Sequence, residues 1–66
     1  MEQLQLDIEA IRTMMKVSRK EMAELLDITL DRYNRLATGE SKMLATELKA
    51  LHRVSKVPYE SIVVQS

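Results

Sequence analysis

Residues 18–39 read Ser18-Arg19-Lys20-Glu21-Met22-Ala23-Glu24-Leu25-Leu26-Asp27-Ile28-Thr29-Leu30-Asp31-Arg32-Tyr33-Asn34-Arg35-Leu36-Ala37-Thr38-Gly39, and this stretch decides the fold. Ser18 and Glu21 stand in the S-x-x-E relation of a capping box, which satisfies orphan N–H groups at a helix start. Met22, Ala23 and Leu26 then share one helix face. Asp27-Ile28-Thr29 closes that helix and opens another, with Thr29 as its N-cap. Tyr33 and Leu36, helped in part by Leu30 or Ala37, make the core side of this next helix. Thr38-Gly39 ends it, Gly39 suiting the left-handed residue that follows a helix. The result is two short helices joined by a tight turn, the second carrying Arg32, Asn34 and Arg35 outward.

Helical periodicity extends in both directions. Leu4, Ile8, Ile11 and Met15 follow spacings of four, three and four, one stripe of a helix over about 3–15. Ser41 caps a helix over about 43–54, with Leu44, Leu48 and Leu51 inside. Val57-Pro58 breaks it, and Pro58 suits the first turn of a last helix reaching about Val63. One Gly, one Pro and few aromatics agree with this. There is no internal repeat, linker or low-complexity tract. The expectation is one all-α domain over 1–66, compact, with five helices.

Bulk properties bound the function. A chain of 66 residues buries only about 60% of its unfolded surface, so its stability is marginal. The absence of cysteine excludes disulfides and thiolate metal sites. No apolar stretch approaches the roughly 20 residues of a membrane span, and the acidic start Met1-Glu2-Gln3-Leu4-Gln5-Leu6-Asp7 is unlike a signal peptide. The expectation is a soluble cytoplasmic protein with no membrane partner. Ten basic and ten acidic side chains give zero net charge, which counts against a strong non-specific nucleic-acid binder. The distribution is uneven: 12–42 hold seven bases against five acids, and 1–11 hold Glu2, Asp7 and Glu9 with no base.

In this register the sequence resembles the helix-turn-helix domains of phage repressors and Cro proteins, the xenobiotic-response-element type. The match runs without a gap from about Ile8 to Ile62. Ala23 meets the small residue of the family's second helix, Met22 and Leu26 its aliphatics, and Ile28 the aliphatic after the turn. Thr29 meets the cap of the recognition helix, Gly39 the glycine beyond it, and Val57 the valine opening the last helix. Arg19 stands where the family often has Gln, Asp27 where it usually has Gly, and Ala37 where an acid is common. His52 and Ser55 take positions usually small or leucine-like.

The resemblance implies a lambda-repressor-like fold and a bacterial or phage transcription regulator that lays its third helix in the major groove of double-stranded DNA. It places Leu30, Asp31 and Arg35 towards the bases. Arg35 can donate a bidentate pair to guanine, worth about 1–3 kcal/mol of discrimination, Leu30 can meet a thymine methyl, and Asp31 can accept from cytosine N4. Arg32 and Asn34 face phosphates or flanking bases, and Arg19 meets a phosphate at a helix N-terminus. Ser18, Lys20, Thr29, Thr38 and Lys42 complete the phosphate or flanking set. Family members bind palindromic operators as two-fold dimers with half-sites about 34–36 Å apart. The apolar tail Ile62, Val63 and Val64 is the expected homodimer interface.

Other signals carry less. His52 has no Cys or second His beside it and reads as a packed histidine, not a metal ligand. Met14, Met15, Met22 and Met43 fill core gaps. Ser18 and Ser41 are caps, since no base–orienter pair accompanies them. Glu21, Glu24, Asp27 and Asp31 form a solvated rim. No enzyme, cofactor or small-molecule ligand is indicated. A rival reading stands: a non-catalytic protein-interaction module, antitoxin-like or antirepressor-like, that retains the fold. Zero net charge and Asp31 favour it.

Overall fold

The computed structural model of the chain describes residues 6–62. They fold as four α-helices, α1 (Ile8–Met15), α2 (Arg19–Leu26), α3 (Leu30–Thr38) and α4 (Ala45–Ser55), followed by a 3-10 turn at Tyr59–Ser61. The described residues contain no strand, only an isolated parallel bridge between Leu6 and Ile62.

Each helix start has a local cause. Asp7 caps α1 by accepting from the Ala10 N–H at 2.7 Å. Ser18 and Glu21 form the reciprocal capping box of α2, both bonds at 3.0 Å. Thr29 caps α3, its hydroxyl oxygen accepting from the Arg32 N–H at 3.0 Å. The α2–α3 turn is a Schellman closure: Ile28 N–H donates to Ala23 C=O at 2.9 Å and Asp27 N–H to Glu24 C=O at 3.1 Å. Asp27 takes the left-handed conformation (φ 60°) that a glycine would hold without penalty. Gly39 (φ 82°) ends α3 in the same way.

Helix α2 packs on α3 and α4, and α1 packs on the same two. Tyr33, Ile11, Met22 and Leu51 are fully buried, joined in the core by Ile8, Ala23, Leu26, Leu36, Ala50 and Ile62. Burying each large apolar side chain contributes about 1.5–3 kcal/mol, the main term holding so small a domain together.

Several expectations need correction. The fifth helix is a single 3-10 turn, because Ile62 turns extended (φ −95°, ψ 125°) and the Leu6 N–H donates to Ser61 C=O at 2.7 Å. Pairing with the start of the chain replaces continuation of the helix. Helix α4 begins two residues later than expected. Leu44 takes the N-cap position instead of Ser41, with the Glu47 carboxylate accepting from its N–H at 2.7 Å. Leu44, expected inside, is consequently 59% exposed. Met14 is exposed, while Met15 and Met43 are half-buried. Ile62, expected at a dimer surface, is buried in the core; Val63 and Val64 lie outside the described residues, as does Leu4.

Candidate nucleic-acid interface

At 100° per residue, Leu30, Asn34, Thr38, Asp31 and Arg35 fall within a sector of about 140° on α3, opposite Tyr33 and Leu36. Tyr33 and Leu36 are buried, whereas Leu30, Asp31, Arg35 and Thr38 are exposed and Asn34 is half-buried. The sector is bounded by Ala37 on one side and Arg32 on the other.

Arg32 faces α4. Its Nε and Nη2 donate to the two carboxylate oxygens of Glu47, each at 2.8 Å, and Nη2 also donates to the Lys42 C=O at 3.0 Å. Arg32, expected towards phosphates or flanking bases, thus braces α3 against α4 within the chain. Glu47 is 7% exposed. The Arg32 hydrogen bonds hold its carboxyl below the usual range against the opposing effect of burial.

Asp31 and Arg35, both expected towards bases, lie one turn apart and pair with each other at 3.1 Å, at 76% and 53% exposure. A pair this exposed contributes little stability and opens readily to a competing partner. Thr38 returns its hydroxyl to Arg35 C=O at 3.4 Å. Leu30 stands outward at the first position of α3.

Arg19 opens α2. Its Nη1 donates to Asn34 Oδ1 at 3.2 Å and its Nη2 to Glu9 Oε2 at 2.9 Å. This contact brings two of the expected phosphate-facing residues together and ties them to α1. Lys20 and Lys42 are exposed and have no ion-pair partner among the described residues. Ser18 and Thr29 are exposed residues whose hydroxyl oxygens are occupied as caps. Glu21, beside the α2 N-terminus, is held below the usual carboxylate range, chiefly by the Ser18 N–H. Its negative charge offsets the helix-end field that would attract a phosphate there.

The residues that organise this face are two that sequence reasoning left unassigned. Glu9 accepts from Arg12 Nε at 2.8 Å, from Arg19 and from the Tyr33 hydroxyl. Those donors hold its carboxyl down to about 2, the Arg12 hydrogen bond being the largest influence. Tyr33 moves the other way, its hydroxyl pushed above the ordinary range by burial first and by Glu9 next. Arg12 also donates to Val17 C=O at 2.8 Å, fixing the α1–α2 connection. One signal was available: Glu9 and Arg12 stand at i, i+3, and a buried tyrosine hydroxyl needs a partner. Glu47 is the second residue; its partner Arg32 lies fifteen residues earlier, and no local pattern in the sequence marks the pair.

His52 donates through Nδ1–H to Val57 C=O at 2.7 Å and stacks on Tyr59 with ring centres 4.1 Å apart. No group of three or more metal-ligating side chains occurs among the described residues. No helix among them is long and apolar enough to cross a membrane. Comparison of the chain with protein-family models, with curated proteins and with solved structures finds no match.

Proposed function

We propose that the chain is a sequence-specific double-stranded DNA-binding protein of the Cro or repressor kind. In this reading α2, the Asp27 turn and α3 act as a helix-turn-helix, and α3 enters the major groove, as a homodimer on a palindromic operator. One observation carries it: the Thr29-capped α3 buries Tyr33 and Leu36 and turns Leu30, Asp31, Arg35 and Thr38 to solvent along one side, with the half-buried Asn34 between them. A helix with a backed apolar side and a projecting polar side is what groove insertion requires.

In this reading Arg35 leaves Asp31 to donate to guanine, and Leu30 meets a thymine methyl. Arg19, Lys20, Lys42 and the exposed residues Ser18 and Thr38 set register on the phosphates. Enrichment from a random duplex pool tests it. The natural chain enriches a two-fold symmetric site, and Arg35→Ala flattens the preference at one position in each half. Recovery of an unselected pool would contradict the reading.

A second reading, the non-catalytic protein-interaction module, draws on one specific observation. Arg19, Arg32 and Arg35 each have a carboxylate partner within the chain. Such a surface attracts a polyanion weakly, and an interaction module would show no dependence of duplex binding on salt.

A further inference from the structure

An open groove of about 390 Å³ lies between the end of α2, the Asp27 turn and the side of α4 that runs from its N-cap Leu44 to Arg53. Leu26 and Ala50 are buried and Ile28 half-buried, so they form its floor. Leu44, 59% exposed, stands at the rim with the exposed side chains of Asp27 and Arg53. Among the described residues neither Asp27 nor Arg53 has an ion-pair partner. Glu47 also borders the groove, but its carboxylate is engaged by Arg32.

We propose that this groove is a self-association surface whose occupant is a second copy of the chain. A two-fold contact uses the same patch twice, so that patch must offer both an apolar knob and a hole, and both signs of charge. Leu44 is the knob, the Leu26–Ile28–Ala50 floor is the hole, and Asp27 and Arg53 are the charges. In the dimer Leu44 seats in the opposite groove, Asp27 faces the partner's Arg53, and Arg53 faces the partner's Asp27. A partner of one charge sign would complement only half of this rim. The proposal gives the homodimer of the proposed function a surface of its own, distinct from the buried Ile62. It rests on no nucleic-acid contact, because association is measured without DNA.

A patch of this size belongs to the weak end of protein interfaces, so the readout is molar mass from about 10 µM to about 1 mM. Mass in sedimentation velocity should climb from 7.6 kDa towards twice that value. Asp27→Lys and Arg53→Glu should each raise the dissociation constant about tenfold, and the combined variant should return most of the loss. Lysine is accommodated at such a position, since Lys16 and Lys56 hold the same left-handed backbone at φ 61° and 64°, and Asp27 already bears the cost of that conformation. Leu44→Ser separates association from folding. It removes the knob while giving α4 the side-chain cap it lacks, so melting temperature should rise as dimerisation weakens. A monomer throughout the range would overturn the proposal. So would a dimer indifferent to Leu44→Ser, or one in which the paired charge reversal recovers nothing.

Discussion

Replacing Glu9 with glutamine removes one negative charge from the point where α1, α2 and α3 meet. The amide oxygen can still accept from the Tyr33 hydroxyl, so the change isolates the two arginine contacts. The magnitude follows from titration. A carboxyl whose pKa falls from 4.5 to about 2 on folding favours the folded state by about 3.4 kcal/mol at neutral pH. The side chain is 26% exposed, and solvent screening leaves roughly half of that, about 1.5–2 kcal/mol. For a domain whose total stability is roughly 3–10 kcal/mol, this is a large share. Because the folded pKa is the depressed one, the contribution is complete above about pH 5 and disappears as pH falls through about 2. Urea unfolding of the natural chain and Glu9→Gln across that range should show a gap of about 1.5–2 kcal/mol at pH 7 that closes with acid. A gap that stays constant from pH 7 to pH 2, or no gap at pH 7, would refute the reasoning.

Other outcomes follow from the same contacts. Tyr33→Phe should lose about 1.5–3 kcal/mol, the value of a hydrogen bond to a charged carboxylate, whereas Tyr33→Ala should lose about 3–5 kcal/mol by emptying the core, both measurable by thermal melting. Arg32→Met should destabilise by about 3–5 kcal/mol by leaving Glu47 unpaired, yet under conditions where the variant is fully folded its duplex affinity should equal that of the natural chain. Lys56→Gly should stabilise by about 1 kcal/mol, since it relieves a left-handed lysine at the end of α4.

What the sequence made legible was local. The caps at Ser18 and Thr29, the Asp27 turn and the glycine after α3 depend on neighbours within four residues, and the chain's text contains all of them. The Met22–Ala23–Leu26 and Tyr33–Leu36 faces were readable from helical period alone. Most of what the sequence did not show involves partners far apart in the chain. Arg32 looks outward on a helical wheel until Glu47, fifteen residues later, draws it to α4. Glu9 passes as part of an acidic start until Arg19 and Tyr33, ten and twenty-four residues away, converge on it. The last helix failed because Ser61 and Ile62 pair with Leu6, a contact no local window contains. Leu44 kept its place in an apolar stripe, but the helix began one residue after it, which left it at the cap and facing water.

The central claim, that the outer side of α3 and the bases around it meet double-stranded DNA, is tested most directly by duplex affinity between about 50 and about 200 mM salt. With Arg19, Lys20 and Lys42 each meeting a phosphate in both protomers, log affinity should fall linearly with log salt at a slope near about −5, and Arg19→Ala should flatten it by about 2. A flat dependence on salt, unchanged by Arg19→Ala, would contradict it.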